Sequence, residues 1–269
     1  MPDFGLQWRT NLRGNMVLWP APTKNVSTLL KIDGLKYDEE DFLSKIPASG
    51  TKKAADTTRS IRNTVEVMNL AGLSFRTGGP ADTFRLTDLG RLAADFLGIL
   101  TQEKVANEAN VHLIGQHFVF GLSCVAEYRA IWEIMLLCGG LLSNEELNRA
   151  FAALNLLSEV KEVSSRIMVA REKGDPRLIG PRAYDDDKFE ELEKRNDQRK
   201  AMNPWFLLAG AGGILISFED RKEHRRMPLW AVTLIQTVLK QPCEMISLSS
   251  PTVCHAISKQ ALAPRSLTK

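Results

Sequence analysis

The stretch Thr57–Leu97, TTRSIRNTVEVMNLAGLSFRTGGPADTFRLTDLGRLAADFL, decides the fold of this chain. Ile61, Val65 and Met68 fall at i, i+4 and i+7 and share one helical face. Arg59, Arg62, Asn63 and Glu66 lie on another, and Asp56 or Thr57 supplies the N-cap. Gly72 stands where a left-handed residue ends a helix without a Cβ penalty. Leu73–Phe75 and Thr83–Leu86 alternate as short strands, and Thr77-Gly78-Gly79-Pro80 between them has turn chemistry. Thr87 then caps a helix whose buried face is Leu89, Leu92, Ala93, Phe96 and Leu97.

Two apolar stripes precede this stretch. Val26, Leu29 and Leu30 form one; Phe42, Leu43 and Ile46 form the other, behind the acidic run Asp38–Asp41 that suits a helix N-terminus. Helix, helix, helix and hairpin in this order, over Lys24 to Leu97, resembles the winged-helix family of helix-turn-helix domains. The resemblance implies duplex DNA binding, with the third helix reading base edges and the hairpin lying along the backbone.

The plan recurs farther on. Val125–Leu137 reads as an apolar helix with Ile131, Trp132, Met135 and Leu136 inward, broken by Gly139-Gly140. Ser143 and Glu146 have capping-box spacing, opening a helix that buries Leu147, Ala150, Phe151 and Leu154. Glu159–Lys173 reads as a helix stopped by Gly174-Asp175-Pro176, and Asp185–Lys200 as another, acidic at its start and basic at its end. LLAGAGGILISF, Leu207–Phe218, parallels NLAGLSF at Asn69–Phe75. A charged turn, Glu219–Arg226, and a closing helix, Pro228–Leu239 with Pro228 at the first position, complete the second copy.

These readings give a mainly α chain with small β-hairpins (α+β) and two tandem winged-helix-like modules. An arm spans 1–23, module one 24–100, a helical connector 101–123, module two with a helical insertion 124–242, and a tail 243–269. The tail is rich in Ser, Pro and Thr from Ser247 onward and reads as disorder or a link to another segment. Tandem modules of this length resemble the recognition domains of type IIS restriction endonucleases and other prokaryotic defence proteins.

The 269 residues carry a formal net charge of only +3, so attraction to an anionic partner depends on local clusters. Arg and Asn make bidentate contacts to guanine and adenine, which makes Arg59, Arg62 and Asn63 the base-reading candidates. Arg76 and Arg85 flank the first hairpin and suit phosphates or a minor groove. Arg199 and Lys200 close a basic helix end; Arg221, Lys222, Arg225 and Arg226, with His224, form the densest basic run. For each, the bland alternative is a solvated face, and Glu219, Asp220 and Glu223 dilute the last cluster.

Catalytic and cofactor chemistry find little footing. The four cysteines, Cys124, Cys138, Cys243 and Cys254, match no zinc motif, and Cys124 and Cys138 sit in apolar sequence. His112 and His117 are five apart, without further ligands nearby. Gly210–Gly213 lies between a helix and a strand, the reverse of a dinucleotide loop. Asp185–Asp187 suits a helix start better than a cation site. Glu191-Leu-Glu193-Lys194 and Glu159-Val160-Lys161 have nuclease letters in helical sequence. No catalytic residue, metal or cofactor is expected, and an enzyme reading survives only as a nuclease assembled from distant segments. No apolar run is long enough to span a bilayer, and a cytoplasmic setting is expected. The expected partner is double-stranded DNA, within a restriction or phage-defence system or as a transcriptional regulator. The competing reading is a winged-helix interaction scaffold, docking a partner subunit or a second copy through the helices around Trp132 and Trp230.

Overall fold

The computed structural model describes residues 4–6, 33–36, 68–102, 116–117, 119–180, 216–218 and 221–263. These residues are mostly helical, with two small antiparallel sheets. The expected helices at 26–32, 38–46 and 185–200, nearly all of the helix at 57–71 and the glycine run 210–213 lie outside the described residues.

The first sheet pairs β1 (Ser74–Arg76) with β2 (Phe84–Leu86), in the register Ser74↔Leu86, Phe75↔Arg85 and Arg76↔Phe84. Strand periodicity explains its two faces. Ser74, Phe84 and Leu86 point into the core, while Arg85 points out beside Phe75, its partner across the ladder. On the other side of β2 runs Gly34–Lys36: Gly34 N–H donates to Phe84 O at 2.8 Å and Phe84 N–H to Leu35 O at 2.9 Å. The hairpin strand β2 is therefore central, between an earlier segment and β1. Helix α1 (Asp88–Gln102) follows directly.

The second half carries a three-stranded sheet. Helix α2 (Ala126–Leu137) leads through Gly139 and Gly140, both at positive φ, into β3 (Leu141–Ser143), then α3 (Asn144–Ala153) and α4 (Val160–Lys173). Strands β4 (Ile216–Phe218) and β5 (Arg221–Arg226) complete a sheet of order β3-β5-β4, and α5 (Leu229–Lys240) closes it. Again the last strand is central. The expected capping box is present: Glu146 N–H donates to Ser143 Oγ at 3.0 Å and Ser143 N–H to Glu146 Oε2 at 2.7 Å. Gly174, in the left-handed region, ends α4 as the sequence indicates.

Three expectations need correcting. The charged run ending at Arg226 is not a turn: Arg221–Arg226 is strand β5, paired on both sides. Charge argues for a solvated loop, but main-chain pairing with β3 and β4 satisfies the peptide groups whatever the side chains are. Pro228 is the N-cap of α5 rather than its first residue.

The third correction concerns the tail. Val253–Leu262 forms helix α6, with Val253, Cys254, Ile257, Ser258 and Ala261 buried. The segment before it is tied down as well. Ile246 pairs in parallel with Val125, and Leu248 N–H donates at 2.8 Å to the buried carboxylate of Glu127. Small residues let α6 come close. A Cβ on Gly121 would lie 2.9 Å from Ala261 Cβ, and one on Gly72 would collide with Ile257.

One core joins the two halves. It runs from Leu70, Phe84 and Leu89 through Leu122 and Tyr128 to Trp132, Leu142 and Ile167. Tyr128 in α2 donates from its hydroxyl to Leu70 O at 3.1 Å, a buried polar tie across the halves. Near the N-terminus, Phe4–Leu6 pairs with the turn before α4: Leu6 N–H donates to Asn155 O and Leu157 N–H to Phe4 O.

Candidate nucleic-acid interface

The turn of the first hairpin is built from its own side chains. Gly78 and Gly79 both have positive φ, a conformation that costs glycine little. Asp82 accepts from Gly78 N–H at 3.0 Å and from Arg76 Nε at 2.8 Å, with Arg76 Nη2 also bonded to it. Thr83 N–H donates to Thr77 Oγ1 at 2.9 Å. The Arg76 hydrogen bond holds the Asp82 carboxyl below the ordinary carboxylate range. Half of the Arg76 side chain is exposed, but its charge is engaged by Asp82, so a phosphate must compete for it.

Arg85 is placed differently. It is exposed on the outer face of β2, and its guanidinium lies over Gly34, where an added Cβ would sit 3.1 Å from Nη1. One turn into α1, Arg91 pairs with Asp33 at 3.1 Å, and Asp33 also accepts from Leu86 N–H at 3.0 Å. Beside these groups, the Phe75 and His255 rings meet at 4.4 Å between centroids, tilted by 56°. Lys259 lies one turn after His255 on the same face of α6, and both are exposed. Phe75, Thr87, Asp88, Arg91, His255 and Lys259 line part of a cleft of about 680 Å³.

The N-terminus of α1 borders this cleft, yet its second and third amides are occupied. Leu89 N–H donates to Ser258 Oγ of α6 at 3.1 Å, and Gly90 N–H to Thr87 Oγ1 at 3.0 Å. Helix α6 thus caps α1 from a distance of 169 residues in sequence. Gly90 packs so closely on Leu73 that a Cβ there would overlap the Leu73 carbonyl oxygen.

In the second half, α4 buries Val160, Val163, Ser164, Ile167 and Ala170. Its outer face carries Lys161, Glu162, Ser165, Met168, Val169, Glu172 and Lys173. Several arginines are engaged nearby: Arg166 with Glu162, Arg149 with Glu145 and Arg177 with Asp175. Arg171 holds both carboxylate oxygens of Glu146, Nε to Oε1 at 2.6 Å and Nη2 to Oε2 at 2.9 Å, and also donates to the carbonyls of Cys138 and Leu141. Burial alone would raise the Glu146 carboxyl, but the Arg171 guanidinium and the Ser143 N–H outweigh it and hold the group below its ordinary range.

Of the residues read from sequence, Arg76 and Arg85 lie on the two strands of one hairpin, opposite Phe84 and Phe75 respectively, while Arg221, Lys222, Arg225 and Arg226 all belong to β5. Arg226 is exposed, opposite Leu141 on one side and Ile216 on the other. Arg59, Arg62, Asn63, Arg199 and Lys200 lie outside the described residues. Phe75, Arg91, His255 and Lys259 escaped the sequence reading. The four-residue spacing of His255 and Lys259 beside the buried stripe of Cys254, Ile257, Ser258 and Ala261 was the one available signal.

Burial pushes the Cys124 thiol up to about 12 and the Cys138 thiol up to about 11, and raises Cys243 and Cys254 as well, which disfavours the thiolate at all four. Among the described residues no three His, Cys, Asp or Glu side chains gather as a metal site, and no helix is long and apolar enough to cross a membrane. Trp132 is fully buried, which removes it from any docking surface; Trp230 is half-buried. No protein-family profile matches the chain, and no curated protein or solved structure shows significant similarity to it.

Proposed function

We propose that the chain binds double-stranded DNA through two tandem winged-helix-like modules. The observation that carries this reading is the repeated order of the two halves. In each, an early segment pairs with the last strand, the middle strand takes the far edge, and a helix closes the sheet. In the second half α3 and α4 fall between the first and second strands, an order that supports reading them as a helix-turn-helix pair. Exposed Arg85 on the first hairpin and exposed Arg226 on β5 supply charge at equivalent strands. Docking is the mechanism: arginines set the register on phosphates and helices meet the groove. A role in a prokaryotic restriction or phage-defence system, or in transcriptional regulation, rests on the resemblance alone.

Fluorescence anisotropy with a labelled random duplex across a salt series tests the proposal. A docker that neutralises about six phosphates gives a slope of roughly −5 in log affinity against log salt. Arg85→Gln should flatten that slope by about 0.9, the share of one phosphate contact. A duplex that is not retained at 50 mM salt, about the low end of such series, refutes the proposal.

One observation favours the scaffold reading for the second module. Met168 and Val169 are 48% and 41% exposed on the outer face of α4, among two lysines and two glutamates. That face has no net charge, whereas a helix entering a DNA groove benefits from positive charge. Copurification of a partner that is lost on Met168→Glu, with duplex binding unchanged, supports this second reading.

A further inference from the structure

We propose that the cleft between β1, the start of α1 and α6 is a binding site for an unpaired nucleotide. The base stacks on the Phe75–His255 ring pair, and the phosphate is held by Lys259 and Arg91. This inference does not rest on the duplex reading, because stacking requires a base that is free of its partner.

The site combines two elements that sequence-tolerant single-strand binding requires, an aromatic platform and cations along the strand. Phe75 and His255 come from different elements, β1 and α6, and meet at 4.4 Å. Both line the cleft, and His255 is exposed, so the pair offers an aromatic surface to a ligand. The cleft volume of about 680 Å³ falls in the range of small-ligand pockets. Lys259 projects from the same face of α6, one turn beyond His255. Arg91 enters from α1, oriented by its bond to Asp33 at 3.1 Å. Arg85 lies directly across the ladder from Phe75, but its guanidinium sits over Gly34 and it does not line the cleft.

The acidic groups set the affinity. Asp88 lines the cleft, and Asp33 offsets part of the Arg91 charge. The Leu89 and Gly90 amides at the start of α1 are already bonded to Ser258 and Thr87, so neither is open to the phosphate. Stacking must then carry much of the interaction. Removing one stacking partner of a bound base typically weakens binding about 5- to 150-fold.

The test uses the full chain and three probes: a 15-nucleotide oligothymidylate, the corresponding blunt duplex, and thymidine monophosphate. His255→Ala and Lys259→Gln replace exposed side chains, and thermal melting checks that each variant folds. The oligothymidylate should bind, and each variant should weaken it at least about 5-fold with the melting temperature unchanged. Thymidine monophosphate should perturb the His255 ring resonances in solution, which separates occupation of the cleft from strand contacts elsewhere. Oligothymidylate binding without duplex binding would leave this site standing and remove the duplex proposal. Duplex binding without oligothymidylate binding, or oligothymidylate binding indifferent to both variants, overturns the site.

Discussion

Arg171→Met is the most informative single substitution, because one side chain connects four pieces of the second half. Its guanidinium spans Glu146 at the start of α3, the Cys138 carbonyl after α2, and the Leu141 carbonyl in β3, while its own backbone belongs to α4. Removing one partner from a fully buried ion pair costs about 3–5 kcal/mol, whereas an exposed pair contributes about 0–1 kcal/mol. Arg171 is 29% exposed and Glu146 13%, so this pair falls between those limits. Methionine keeps most of the aliphatic packing, and Ser143 N–H still serves Glu146. The expected cost is about 2–3 kcal/mol, a fall of roughly 4–6 °C in Tm for a chain of this size. Combining it with Glu146→Gln should reveal a coupling of about 1–2 kcal/mol. Acid supplies the second check. The folded Glu146 carboxyl titrates below its unfolded counterpart, near 4.5. Its contribution is therefore complete above that value and is lost as pH falls through the lower, folded one. The penalty of Arg171→Met should shrink correspondingly between neutral pH and about pH 3. Urea titrations at several pH values give these numbers. A cost below about 0.5 kcal/mol at pH 7, or one that acid leaves unchanged, refutes the reasoning.

Other substitutions probe the joint between the halves. Gly90→Ala should prevent normal folding or cost more than about 3 kcal/mol, since the clash is with backbone rather than a yielding side chain; calorimetry checks this. Ser258→Ala removes the remote cap from α1 and should cost about 1 kcal/mol, read from a shifted urea midpoint at constant slope. Truncation after Pro242 should destroy cooperative melting rather than trim a free tail, because it deletes α6 and the segment anchored to Glu127. Cys124 and Cys138 should resist alkylation at pH 8 in the native chain and react once it is unfolded in urea, as thiols at about 12 and 11 are protonated there.

Local signals were legible where a few neighbouring residues decide the outcome. The strands expected at Leu73–Phe75 and Thr83–Leu86 form within one residue of those bounds, at Ser74–Arg76 and Phe84–Leu86, and the glycine turn and the Ser143–Glu146 capping box appear where their chemistry indicates. Elements stabilised by distant partners were not legible. The charged segment Arg221–Arg226 is a strand because β3 and β4 complete its hydrogen bonds. The tail is a helix because Gly72 and Gly121 make room for it and Leu89 needs its serine. The same limit hid the Phe75–His255 cleft, whose rings are 180 residues apart in sequence and belong to two elements that only packing brings together.

The amino-acid order by itself determined the glycine turn of the first hairpin, the Ser143–Glu146 capping box and the glycine stop of α4, since these depend on residues within one or two turns of each other. Tertiary packing alone decided which strand became central, which arginines were consumed by carboxylates, and where the last helix came to rest. Those outcomes turn on main-chain hydrogen bonds, buried charge and the clearance left by an absent Cβ, all supplied by residues far away along the chain.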